Sequence, residues 1–319
     1  MPRTPPLVAI GTSGWHYPRG RGAWSGIVYP PVRRGSRFDE LAYYAARFRT
    51  VEVNVSFYRP LSEAMTRGWV ERTPDGFTFA VKLHQTLTHA AGLAPRGAEG
   101  PQVPDVDAAE VASFLAPLRP LEDADRLGPL LAQFPAGFHA SPETFAYLEW
   151  LLEALRDRPV AVELRHRSWS DARGDLLRLL DAAGAAWVLI DEPKFSSSVY
   201  QGVELARAQI GERPWGYVRL HGRNAAQWWD PETSEDRYDY LYSEAELMPF
   251  ADLAEAAQAL GRKLYLYANN HFGGKAVANA AQLRAALDDP VTEPFPPAFG
   301  DRFPGIEKVV RIERRDTLF

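Results

Sequence analysis

Pro159–Pro193 reads PVAVELRHRSWSDARGDLLRLLDAAGAAWVLIDEP, and its pattern decides the fold class. Val160 to Leu164 is a short β-branched run, too short for a helix. Ala172 to Ala183 then carries apolar residues at helical spacing, and Gly184 stands where that helix should stop. Ala186 to Asp191 is a second strand-like run, so the stretch is one strand–helix–strand unit. The same alternation extends in both directions. Strands are expected at Leu7–Thr12, Thr50–Val55, Phe77–Leu83, Pro129–Phe134, Pro159–Leu164, Ala186–Asp191, Trp215–His221 and Lys263–Asn269. Helices are expected at Arg37–Phe48, Ser62–Glu71, Ala108–Leu118, Pro142–Arg156, Ala172–Ala183, Ser243–Leu260 and Ala276–Leu287, with a poorer one around Val203–Gln209. Strict alternation with eight strands predicts an α/β protein whose parallel sheet closes into a (β/α)8 TIM barrel; an open doubly wound sheet is the alternative. Connections into strands are short, while the long segments 13–36, 84–107, 192–214 and 222–242 all follow strands. That asymmetry places function at the C-terminal mouth. Residues 1–290 read as one domain and 291–319 as an extension whose charged end, Glu307–Phe319, is either a last strand or a partner arm.

Composition narrows the class of function. The chain has 319 residues, 46% hydrophobic and 24% charged, which is globular and not disordered. Without cysteine there is no disulfide scaffold, thiolate metal site or thiol nucleophile. A net charge of −5 gives no general attraction to nucleic acid or anionic lipid, although a local basic cleft remains open. No signal-like start and no long apolar run are seen, so a soluble, cytoplasmic protein is expected. Oligomeric state is not legible.

Strand side chains alternate between faces. One face of each expected strand is apolar; the other turns polar near its C-terminal end. Assembled, those polar faces place Glu52, Asn54, Lys82, Gln133, Glu163, Arg165, Asp191, Arg219, His221 and Asn269 in the mouth. A structural lumen would use Val, Ile and Leu, because each unpaired buried charge costs several kcal/mol. A self-satisfying ion-pair plug is the bland alternative to an active site.

The motifs themselves are Ile10-Gly11-Thr12-Ser13-Gly14-Trp15, Val51-Glu52-Val53-Asn54 followed by Phe57-Tyr58, Phe79-Ala80-Val81-Lys82 and Gln133-Phe134-Pro135. They continue with Val162-Glu163-Leu164-Arg165-His166 and Ser168-Trp169, then Tyr217-Val218-Arg219-Leu220-His221-Gly222 and Tyr267-Ala268-Asn269-Asn270. In this order they resemble the YecE-like family, domain of unknown function 72, from about residue 7 to 287. The resemblance implies a TIM barrel and brings no established reaction. Phe134 stands where the family usually has Leu, a packing swap.

Several chemistries suit this mouth. Lys82, Arg165, Arg219 and His221 suit an anion, as does the strand-exit turn with Thr12 and Ser13 if its backbone N–H groups face a ligand. Neither the Walker nor the GxGxxG spacing is present, so nucleoside triphosphate and dinucleotide are not indicated. Glu52 and Glu163, with Asp191 beside the latter, are candidate base or nucleophile, and His221 the candidate acid. Trp15, Trp24, Trp169, Trp228 and Trp229, with Tyr17, Phe57, Tyr58 and Phe272, fall after strands and suit a rim that stacks on rings. Asn54, Gln133, Asn269, Asn270 and Arg223 complete the expected substrate contacts. The leading reading is acid–base chemistry on a small anionic or sugar-like ligand by a hydrolase, lyase or isomerase, with no cofactor. The alternatives are a metal-dependent phosphodiesterase, using a divalent ion on Glu52, Glu163, Asp191 and His221 as in barrels of the endonuclease IV type, and a ligand-binding protein without turnover.

Overall fold

The structure is a computed structural model and describes residues 6–31, 38–90, 103–233 and 235–314. Parts of the expected segments 13–36, 84–107 and 222–242, and the end of the tail, lie outside the described residues. Among the described residues nine strands form: β1 (Val8–Thr12), β2 (Thr50–Val53), β3 (Thr78–Lys82), β4 (Leu127–Gln133), β5 (Val160–Glu163), β6 (Ala186–Trp187), β7 (Leu189–Asp191), β8 (Trp215–Leu220) and β9 (Lys263–Ala268). All pair in parallel, in two sheets of order β2-β3-β4-β5-β6 and β1-β9-β8-β7. The expected sixth strand is thus present in two pieces. They meet at Val188, whose N–H donates to Val162 O at 2.9 Å, so one extended run serves both sheets. On the far side the sheets meet through a bridge between Ser13 and Glu52. Gly11 permits this approach, because a Cβ there would lie 2.3 Å from Thr50 O.

The helices begin where side chains cap them. Asp39, Ser62, Asp107, Ser141 and Ser243 each accept from a backbone N–H of the first turn, and Pro142 occupies a first-turn position that needs no donor. Gly184 and Gly261 follow two of the helices with φ of 64° and 65°. The expected weak helix runs from Val203 to Glu212. Among the described residues no helix is long and apolar enough to cross a membrane.

Between the sheets the interior is polar even low in the fold. Thr50 Oγ1 lies 2.6 Å from the Tyr267 hydroxyl, Thr78 Oγ1 donates to Thr50 Oγ1 at 3.0 Å, and Tyr217 OH donates to Glu52 Oε2 at 2.7 Å. Above this layer come the charged side chains at the C-terminal ends of the strands. The segment after residue 290 packs into the same core through Val291, Phe295, Phe299, Phe303, Ile306 and Val310. Phe295 is bridged to Ile312, which ties this segment back on itself.

Candidate functional site

Arg219, on β8, is the centre of the charged layer. Its Nε and one terminal nitrogen donate to the two oxygens of Glu52 on β2, at 2.9 and 2.7 Å. The other terminal nitrogen donates to Glu163 Oε2 on β5 at 2.5 Å. Arg165 donates twice to Glu163 Oε1, at 2.9 and 2.7 Å. Glu52, Glu163 and Arg219 are almost entirely buried. Burial alone would raise the Glu163 carboxyl, but Arg219, then Arg165 and His221, outweigh it and hold it well below the usual carboxylate range. Both carboxylates therefore face guanidinium groups and not open space, so they are placed to position arginine and not to attack a substrate.

The same geometry corrects the role expected of His221. Its Nδ1 accepts from Asn269 at 2.8 Å and its Nε2 lies 3.5 Å from Glu163 Oε1. Burial, with Arg219 and Arg165 adding to it against the pull of Glu163, pushes the imidazole down to about 3. At neutral pH the ring is uncharged, not the imidazolium that a general acid needs. Lys82 stands at the end of β3. Burial, then Arg219, pushes its ammonium down to about 7 against the opposing pull of Glu163. Its Nζ donates to Gln133 Oε1 at 2.6 Å and stands 3.8 Å above the centre of the Phe57 ring.

Two cavities open above this layer and share a wall made by Tyr58, Lys82, Gln133, Arg165 and Tyr238. The larger, about 530 Å³, has Trp15, Tyr17, Trp69 and His271 among its walls, with Asn54, Arg219 and Asn269 at its floor. Trp15 meets Trp69 edge to face at 5.5 Å, and Tyr17 stacks on His271 at 4.4 Å. The smaller, about 310 Å³, is walled by Phe57, His89, Pro135, Trp228 and Trp229. Tyr58, 71% exposed, stands at the rim of both. Asn54 lines the larger cavity, and its Oδ1 is buried without a hydrogen-bond partner among the described residues.

Other expected contacts lie elsewhere. Trp169 is fully buried; its indole donates to Phe138 O at 2.7 Å and its ring stacks on Phe138, so it is core and not rim. Trp24 is likewise buried, with its indole on His271 O. Asp191 is held by Arg223 at 2.8 and 2.9 Å and by the Tyr242 hydroxyl at 2.7 Å, which removes both Asp191 and Arg223 from the cavities. Asn270 donates to Tyr240 O and Asn279 Oδ1 and supports a loop. The turn with Thr12 and Ser13 offers no anion cradle. The N–H of Thr12 donates to Tyr44 OH, that of Ser13 to Ala268 O and that of Gly14 to Glu52 O. Sequence reasoning missed Tyr238, His271 and Glu192. Glu192 lies 3.4 Å from Arg165 at the smaller cavity, and burial raises its carboxyl.

The donor set does not fit a divalent ion. Glu52 and Glu163 are each paired with guanidinium groups, and Asp191 belongs to a separate ion pair. Among the described residues no three His, Asp or Glu side chains are grouped to hold a metal.

This is therefore a parallel α/β protein with a buried charge network beneath an aromatic-walled cavity at the C-terminal ends of its strands. Residues 9–299 match the family described as a protein of unknown function, DUF72, and the chain belongs to that family. It is 29% identical over 289 residues to the UPF0759 protein YunF of Bacillus subtilis, covering 88% of this chain and 95% of that one. The crystal structure of a DUF72 family protein from Thermotoga maritima is similar with 31% identity and a TM-score of 0.71, covering 88% of this chain and 99% of that one. A DUF72 family protein from Enterococcus faecalis, at 22% identity, matches with the same TM-score over 88% of this chain and 95% of that one, a likeness of fold.

Proposed function

We propose that the two sheets close into one eight-stranded (β/α)8 barrel, with β6 and β7 as one interrupted strand, and that its C-terminal mouth is an enzyme site for a small anionic or sugar-like substrate. Support for closure comes from side chains of both sheets meeting in one interior. Arg219 of one sheet holds Glu52 and Glu163 of the other, and Tyr267 of one lies against Thr50 of the other. Barrels of this kind host their chemistry at that end.

Lys82 is the observation that carries the functional reading. It is a buried amine at the wall common to both cavities, with its hydrogen bond on a neutral amide and two arginines nearby. Such a group exists as free amine and ammonium in comparable amounts near neutral pH, which suits proton transfer. Arg165, Gln133, Asn54 and Asn269 would hold substrate oxygens, and Tyr58, Trp15 and Tyr238 would cover its apolar face. Glu52 and Glu163 act through the arginines they orient. A glycosidase needs two carboxylates free to face the scissile bond, so lyase or isomerase chemistry fits this site better than glycoside hydrolysis.

Thermal-shift measurements of the purified protein against carboxylates, sugars, sugar phosphates, nucleotides and divalent ions, with and without chelator, test this reading. A ligand at about 100 times its dissociation constant adds roughly 2.7 kcal/mol. The expected result is stabilisation by an organic anion or a sugar, unaffected by chelator and weakened in Arg165→Ala and Tyr58→Ala. Stabilisation by divalent ions alone, abolished by chelator, would overturn it and favour the phosphodiesterase.

A further inference from the structure

We propose that Lys82 is an amine nucleophile, condensing through Nζ with the aldehyde or ketone carbon of an anionic carbonyl substrate to form an imine. This rests on the site reading above and adds both a substrate class and a covalent step. Three observations support it. Lys82 lines both cavities, so its amine lies beside the space a carbonyl substrate would occupy. Among the described residues no carboxylate forms an ion pair with it, and Gln133 Oε1, its hydrogen-bond acceptor, is neutral and does not require a charged donor. Arg165, 21% exposed in its side chain, borders both cavities, where it can hold the carboxylate or phosphate of the substrate.

A desolvated lysine beside cationic groups keeps a free lone pair near neutral pH. Here Arg219 and Arg165 supply the cations, Glu163 and Glu52 oppose them, and burial dominates. His89 flanks the same Phe57 ring as Lys82, at 5.0 Å between ring centres. Burial, then Lys82 itself, pushes its imidazole down to about 4, so no second cation from this ring competes for an anionic substrate near neutral pH.

In the step, the Nζ lone pair attacks the carbonyl carbon and the carbonyl π pair moves to oxygen. One nitrogen proton passes to that oxygen to give a neutral carbinolamine. The C–O bond then breaks, the hydroxyl leaves as water with the second nitrogen proton, and the C=N bond forms. Amine plus carbonyl becomes imine plus water, with no redox change. A protonated imine withdraws electrons from the neighbouring carbon, which serves the lyase or isomerase chemistry proposed above.

The test treats the full-length protein with glyoxylate and sodium cyanoborohydride, then maps modified lysines by peptide mass spectrometry. Hydride reduces the imine, leaving a carboxymethyl group on nitrogen. The chain has only five lysines, so the map is simple. Lys82 is expected to be modified at pH 7 at least about tenfold faster than Lys275 and Lys308, with a rate that rises through pH 7 and then levels. The adduct should be lost in Lys82→Arg, but the wild-type map decides the matter even if that variant does not fold. Modification of Lys275 and Lys308 without preference for Lys82 would overturn the inference. Thermal stabilisation by glyoxylate alone, lost in Arg165→Ala, separates the two levels. If it is seen without Lys82 trapping, the covalent step fails and the binding site stands; if both are absent for every anionic carbonyl compound tried, both fail.

Discussion

Arg219→Ala is expected to lower stability by about 3–5 kcal/mol at neutral pH, because it removes the guanidinium shared by two buried carboxylates. Glu52 would keep only the Tyr217 hydroxyl, and Glu163 would keep Arg165 and the His221 ring. The loss should depend on pH with a definite sign. In the wild type the Glu163 carboxyl is depressed, so its contribution is present above the unfolded value of about 4.3 and is lost as pH falls through the folded value. In the variant the upward push of burial meets less opposition, so the ionised carboxylate becomes a liability that disappears once it is protonated. The difference between the two proteins should therefore be full at pH 7 and shrink by about pH 4.5. Urea denaturation at the two pH values measures it. A loss below about 1 kcal/mol, as for an exposed ion pair, would show that the network does not hold the interior together.

Lys82→Met is expected to do the reverse at neutral and lower pH: to stabilise the fold while abolishing the site. The Lys82 amine has a folded value of about 7 against an unfolded value of about 10.4. Between those values the unfolded chain binds more protons, so stability rises with pH. The penalty is fully present below pH 7 and vanishes as pH rises through the unfolded value. Removing the amine should add about 3–4 kcal/mol at pH 6, allowing about 1 kcal/mol for the lost bond to Gln133, and almost nothing near pH 10.5. Denaturation curves across that range give the difference directly. A variant less stable than the wild type at pH 6, or a difference flat with pH, would show that the lysine is not held under electrostatic strain. Stability gained with ligand stabilisation lost is the pattern of a residue kept for function.

The strand pattern was legible because alternation and short apolar runs are local properties. Glu52, Lys82, Glu163 and Arg219 were all placed inside by counting faces along their strands, and the structure puts them there. Face counting does not say which side chains pair. That Arg219 reaches β2 and β5 together, leaving neither carboxylate free, depends on distances across the interior. His221 as acid and Lys82 as a fixed positive charge are expectations that miss the same thing. Each was read at its ordinary pKa, whereas burial beside two arginines lowers both. Trp169 follows a strand, as a rim residue should, but the short helix Ser168–Asp171 turns its indole inward onto Phe138, and four residues carry no readable periodicity. Tyr238 ends a short 3-10 turn in a long loop and left no signal beyond its aromatic character.

The central claim is that a buried lysine at the C-terminal end of β3 titrates near neutral pH, with free amine and ammonium in comparable amounts. Carbon-13 NMR of the protein labelled at lysine Cε tests it most directly, since five resonances follow five amines through a pH titration. One resonance should titrate near pH 7 and be missing from the spectrum of Lys82→Met. If all five titrate above about pH 9.5, Lys82 is an ordinary ammonium and the account of this site is wrong.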